Sequence, residues 1–385
     1  MREASGFSLI DGGPLTALLR RMRWTFHDGR IDYLHTCVMF VAVAWGPLFL
    51  ASVFGRLMSG HSITLDVGVH VRLLLAIPLL LRADVSLHAR TRTVVARFRA
   101  DRWAPGQTEQ LDAIVARTLR LRDAVYPEVA LLVVAVVASQ FVAWNLGGVQ
   151  LVARRLTMDR ELVVARWWYA LVALPMFQFL AYRALWRWVT WTRMLWRLSR
   201  LRLAPVATHP DLAGGLEFLS WPSLGFAYAI AALAATQAGV WADQVLRLGV
   251  KVTDLKAYAL VFVVAGVVVA LGPTLAVSGH LWRCRYQGLF DYGTLAASYT
   301  RQFQERWFTS RHRNDLLGTA DIQSLADLAN GFNVVDKMRI WPFGLRTAST
   351  IAFAALLPML PVALIQMPLT ELLSKLAGTM LGKPG

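Results

Sequence analysis

Residues 256–279 read KAYALVFVVAGVVVALGPTLAVSG, with a single charge, Lys256, at the first position. An α-helix needs about 20 mostly apolar residues to cross the ~30 Å hydrocarbon core of a bilayer, and this stretch meets that length. The apolar residues form an unbroken run and do not alternate with polar ones, which argues against a strand of a transmembrane barrel. Six other segments repeat the pattern: 34–58, 67–87, 126–146, 164–183, 219–241 and 347–368. Prolines inside them (Pro47, Pro78, Pro175, Pro222, Pro273, Pro358 and Pro361) are tolerable in a membrane, where neighbouring helices satisfy the freed carbonyls. Composition agrees. The chain has 385 residues, 56% of them hydrophobic but only 17% charged, against about 25% charged in soluble domains. The expectation is an all-α polytopic membrane protein with about seven transmembrane helices.

The arginines orient it. Residues 1–33 carry five Lys+Arg, 82–125 nine, 183–218 six and 280–346 nine, whereas 59–66 carry none, 147–163 and 242–256 three each, and the tail two. Basic loops stay on the cytoplasmic side, so the N-terminus is expected inside and the C-terminus outside, in a cell inner membrane. The resulting layout has a cytoplasmic segment 1–33, spans one to six over 34–279 with basic loops 82–125 and 183–218, a cytoplasmic helical segment 280–346, and a last span with external tail over 347–385. Within the first segment PLTALLRRMRWTF (14–26) reads as an interfacial helix, with Leu15, Leu18, Leu19, Met22 and Phe26 on one face and Arg20, Arg21 and Arg23 available to lipid phosphates. The fourth and sixth spans continue beyond the membrane into a helical platform.

A net charge of +16 would suggest nucleic acid in a soluble protein; here it suggests anionic lipid. Trp186, Trp188, Trp191 and Trp196 alternate with six arginines over 182–203. Such interleaving can serve single-stranded nucleic acid. Fused to a span, it reads instead as an interfacial tryptophan belt with snorkelling arginines, so membrane lipid and not nucleic acid is the expected partner. Cys37 and Cys284 offer neither a disulfide framework nor a metal cluster, and no cofactor is expected.

Two stretches stand out from this background. ATHPDLAGGLEFL (207–219) joins the basic helix to the fifth span. Its His-Pro-Asp tripeptide resembles the loop of the J-domain, over three residues and a basic flank, but a span precedes it where that family has a soluble helix. His209 and Asp211 are two ligands where a metal site needs more, and the glycines lack the Lys and Ser/Thr of a phosphate loop. Structurally, Pro210 stops the preceding segment, Asp211 can cap the next helical turn, and Gly214 and Gly215 permit a bend or close backbone approach. The segment is therefore either a shaped turn re-entering the membrane or a binding loop served by His209 or Asp211.

The second stretch is LLGTADIQSLADLANGFNVVDKMRIWPF (316–343). Thr319 or Asp321 can cap a helix on which Ile322, Leu325, Ala326, Ala329 and Phe332 share a face, while Asp321, Gln323, Ser324 and Asp327 lie elsewhere. Asn330–Gly331 is expected to interrupt it and Pro342 to end it. Asp321, Gln323 and Asp327 are candidates for a ligand or a subunit contact.

HPDLAGGLEFL, GTADIQSLADL and the closing PFGLRTASTIAFAALLPMLPVALIQMPLTELL look like a group of bacterial integral-membrane proteins of unassigned function, from the second span to the C-terminus. That resemblance implies a fold and no chemistry. The chain has no HExxH, GxSxG, GxGxxG or Walker motif, so no catalytic residue is expected. Span centres offer only Gln140, Gln178, Thr236 and Gln237; Arg72, Asp84, Glu128 and Arg166 sit near span ends, where they can snorkel or pair across helices. Coupled transport is thereby disfavoured. A pore asks for less. The last span is uncharged, rich in small residues and twice interrupted by proline, which makes Pro358, Pro361 and Gln366 pore candidates. Seven spans with an internal N-terminus and extended helices are similar in layout to the insect odorant and gustatory receptor superfamily, tetrameric ligand-gated cation channels whose last helix lines the pore. Their late tyrosine signature is absent, since no Tyr follows Tyr299. The expectation is a channel-like or ligand-sensing homo-oligomer. The alternatives are a non-conducting scaffold whose basic face binds a partner or anionic lipid, and a lipid-modifying enzyme using His209 and Asp211.

Overall fold

The computed structural model describes residue 21 and residues 33–59, 67–100, 103–145, 164–165, 167–309 and 320–366. Apart from Arg21, the expected interfacial helix at 14–26 lies outside the described residues, as do Arg166, Thr319 and the tail after Gln366. Every regular element among the described residues is helical. Helix α1 spans Tyr33–Ser59; α2 begins as Val67–His70, passes through a π-helical turn Val71–Ala76 and continues as Ile77–Ala100. Then come α3 (Thr108–Asp123), α4 (Val125–Asn145) and α5 (Leu174–Leu198), the last preceded by a second π-helical turn, Tyr169–Ala173. Helices α6 (Ser223–Leu248), α7 (Val252–Leu271), α8 (Ser278–Gln304) and α9 (Ala320–Asp336) come next. The last, α10, runs over Leu345–Leu356 and, past a 3-10 turn at Leu357–Met359, through Leu360–Gln366.

Among the described residues, four helical stretches are long and apolar enough to cross a membrane: Tyr33–Phe54, Glu217–Leu248, Val252–Thr309 and Leu345–Gln366. A fifth is added if α3 and the first part of α4, bent by 42°, count as one span. The other two expected spans, 67–87 and 164–183, are helical where described but more polar. The first carries Arg72, Arg82 and Asp84, the second Trp167, Trp168, Gln178 and Arg183. Phe49, Leu50, Val133, Val137, Leu260 and Val261 all point outward, a surface that water would not tolerate and lipid would.

Helix α6 is the axis of the bundle. In its apolar window 72% of residues are buried, against 17%, 28% and 22% in the other three candidate spans. Small residues explain this, since Ala231, Ala234, Ala235, Ala238 and Gly239 let neighbours approach closely. A Cβ on Gly239 would stand 2.8 Å from the Cα of Gly68 on α2. Helices α2, α7 and α10 pack on α6, and α5 packs on α4. At the arginine-dense end, residues of α2, α3, α5 and α8 and the 199–221 segment share one core, built on Phe98, Trp103, Trp191, Leu195, Phe218 and Leu281. The basic connections are thus a packed platform.

Helix α9 departs from expectation in two ways. It runs through Asn330–Gly331 without a break. A mid-helix glycine costs about 1 kcal/mol relative to alanine, and packing against α8 offsets it, with Gly331 beside the Tyr292 ring and Val335 against Gly288. The buried face also differs: Leu325, Leu328, Phe332 and Val335 turn inward, while Ile322, Ala326 and Ala329 are exposed. Alanine fits either face, so it gave the pattern no phase.

Candidate functional site

The His-Pro-Asp turn is built by backbone geometry first. Helix α5 ends at Leu198, and a series of turns and a 3-10 turn at Glu217–Ser220 lead into α6. Leu212 (φ 55°), Gly214 (φ 61°) and Gly215 (φ 86°) occupy the left-handed region, and the Val206 amide donates to the Gly214 carbonyl at 3.1 Å to close the loop. Glycine is required twice over at 215, because its φ is left-handed and a Cβ there would lie only 2.0 Å from Cη2 of Trp103. A Cβ on Gly214 would lie 2.8 Å from that of Pro205.

Asp211 is the hub. Its Oδ1 accepts from the amides of Ala213 (2.8 Å) and Gly215 (2.9 Å), and its Oδ2 from that of Glu217 (3.1 Å). His209 Nδ1 stands 2.8 Å from Oδ1 and accepts from the Asp211 backbone amide at 3.3 Å, so the imidazole is tied to this turn through one ring nitrogen. Burial works against the charge on Asp211, but the three amides and the imidazole outweigh it and hold the carboxyl below its ordinary range. The edge of Trp103 completes the His209 environment, with centroids 6.2 Å apart.

The segment before the last helix latches onto this turn. Arg339 donates its backbone N–H to the Leu212 carbonyl (2.7 Å), Nη2 to the Asp211 carbonyl (2.6 Å) and Nη1 to the Phe343 carbonyl (2.6 Å). Its guanidinium lies 3.6 Å from Glu217. Gly344 fits between the two, since a Cβ there would meet Arg339 Nη1 and Glu217 Oε1, each at 2.9 Å. The sequence motifs HPDLAGGLE and MRIWPFG are therefore two halves of one interlock. Chemically, Asp211 has both oxygens committed to the fold. No group of three metal-ligating side chains occurs among the described residues.

The other candidates do not converge on this turn. Asp321 meets the π-helical turn Glu305–Thr309 that follows α8: it accepts from Trp307 Nε1 (3.2 Å) and pairs with Arg306 (3.0 Å). Gln323 donates to Asp327 (2.9 Å) on the exposed side. In α10, Pro358 sits half-buried in the 3-10 turn and Pro361 is exposed. Gln366 clamps the α6–α7 connection, its Oε1 accepting from the Val252 amide (2.8 Å) and its Nε2 donating to the Val250 carbonyl (3.0 Å). An open groove of about 1010 Å³ lies between α2 and α3, lined by Phe98, Leu111 and Val115 with the Arg99–Asp112 ion pair on it.

One cluster exceeds what sequence reasoning assembled. Asp84 on α2, Glu128 on α4, and Arg183 and Arg187 on α5 are all buried. Arg183 reaches Asp84 at 2.9 Å and Glu128 at 3.2 Å, and Arg187 pairs with the other oxygen of Asp84. Two positive and two negative charges cancel, tying three helices together. The signal was present as ionisable residues at span ends, but partners 99 and 55 positions apart cannot be matched by spacing.

Comparison with family models, curated proteins and solved structures gives no match.

Proposed function

We propose that the protein is a non-conducting multi-pass scaffold whose arginine-dense platform holds anionic phospholipid at the cytoplasmic face of a cell membrane. In this proposal the chain crosses lipid seven times, with the basic connections inside. The supporting observation is a division of labour among the arginines. Arg183, Arg187 and Arg339 are consumed by internal contacts, whereas Arg92, Arg117, Arg193, Arg200, Arg202 and Arg283 are exposed around a rigid core. A pre-formed surface of this kind binds headgroups without an ordering cost. The test is retention of phosphatidylglycerol by the purified protein, measured by native mass spectrometry. Replacing Arg193, Arg200 and Arg202 together by Gln should cut retention at least several-fold; unchanged retention refutes the proposal.

A second reading has its own support. Helix α10 leaves Ser349, Thr350, Phe353, Leu357 and Pro361 exposed along one side, and it is broken at Pro358. In a homo-oligomer with the layout of the insect receptors, that side would line a pore. Tetramers in electron micrographs, with conductance altered by Pro358→Ala, would favour this reading over the scaffold.

A further inference from the structure

At the end of the bundle opposite the platform, one cation has no counter-charge among the described residues. Arg72 lies on the π-helical turn Val71–Ala76, donates Nη1–H to the Tyr169 hydroxyl and stands 5.7 Å from the centroid of the Phe177 ring. Its Nε is buried with no hydrogen-bond partner among the described residues, and no described carboxylate pairs with it. Asp243, the carboxylate that α6 offers at this end, spends its oxygens on the Val67 and Gly68 amides, at 3.1 and 3.0 Å. The contrast with the balanced Asp84–Glu128–Arg183–Arg187 cluster is direct.

Tyr169 sits on the second π-helical turn, Tyr169–Ala173, so the two irregular turns of the bundle's outer half meet at this hydrogen bond. Such turns displace side chains from the regular helical register and recur at functional sites. With its oxygen accepting from Arg72, the Tyr169 hydroxyl keeps its own proton to donate. Arg72 is five residues into a helix that begins at Val67, roughly 7–8 Å along the axis. That depth lets an arginine reach headgroup phosphates.

We propose that Arg72 and Tyr169 form an anion site for a phosphate group, supplied either by a phospholipid headgroup or by free phosphate. The guanidinium provides charge and the phenol a neutral O–H donor, while Phe177 holds the guanidinium plane in place. The site is separate from the platform by roughly 40 Å of continuous helix, counted from Arg72 to Arg99.

The experiment uses the full chain in an uncharged detergent, in the Arg193→Gln/Arg200→Gln/Arg202→Gln background so that lipid held at the platform does not mask the signal. Phosphatidylglycerol retention is read by native mass spectrometry, and inorganic phosphate is titrated by thermal shift. Arg72→Gln should weaken phosphate-group binding by about tenfold or more, as expected for a lost charged hydrogen bond. Arg72→Lys should retain part of it, and Tyr169→Phe should lose several-fold. Lipid retention that inorganic phosphate does not displace assigns the headgroup as the source; displacement assigns free phosphate. Equal binding in the parent, Arg72→Gln and Tyr169→Phe proteins overturns the site. Should Arg72→Gln fail to fold, Tyr169→Phe carries the comparison alone.

Discussion

Replacing Asp84 by Asn removes the one carboxylate that meets both buried guanidinium groups. Glu128 then faces two arginines alone, leaving one positive charge uncompensated where solvent does not reach. Losing one partner of a buried ion pair typically costs about 3–5 kcal/mol, so Asp84→Asn should destabilise the bundle by that amount. Charge balance makes a sharper claim than the single variant. In Asp84→Asn/Arg187→Gln the neutral Arg183–Glu128 pair remains, and the double variant should recover about 2 kcal/mol relative to the sum of the two single losses. Unfolding of the purified protein in mixed micelles, followed by tryptophan fluorescence, supplies the four stabilities. Strict additivity, or an Asp84→Asn protein within about 1 kcal/mol of the parent, would refute the view that this cluster is held by neutrality.

The interlock and the last helix give further outcomes. Asp211 has its folded-state pKa depressed, so the stability it confers is present above the unfolded carboxylate pKa of about 3.9 and fades as pH falls through the lower folded value. The melting-temperature gap between parent and Asp211→Asn should therefore narrow as pH falls below ~4. Gly215→Ala must displace Trp103 as well as adopt a left-handed φ, and should cost about 3 kcal/mol or more; Gly106→Ala, with φ of 72° and nothing within 4 Å of the new Cβ, should cost only about 1–2 kcal/mol. Paired thermal melts check the difference. Gln366→Leu frees the Val250 carbonyl and the Val252 amide and should lose about 1–2 kcal/mol without altering bilayer conductance; a changed conductance would favour the pore.

The apolar runs carried the helical class because lipid demands continuous hydrophobicity, a signal that survives without any knowledge of neighbours. The role of Gly214 and Gly215 as backbone-permissive positions was also legible, since that property is local; Asp211, expected as a cap, instead gathers the amides of its own loop, and the turn at Glu217–Ser220 starts from Leu216 with no side-chain cap. The features that escaped depended on distance or phase. The partner of the His-Pro-Asp turn, Arg339, lies 128 positions away. On α9, alanines at 326 and 329 satisfy either face, so the inward side turned out to hold Leu328 and Val335 instead. The π-helical turns at 71–76 and 169–173 leave no mark in composition.

The buried charge cluster also sets an order of events during synthesis. Asp84 and Glu128 leave the ribosome 99 and 55 residues ahead of Arg183. Until that arginine emerges, neither acid has the partner it meets in the finished bundle. A chain cut short anywhere before residue 183 would therefore leave both carboxylates without their guanidinium partner, and quality-control proteases would be expected to clear it.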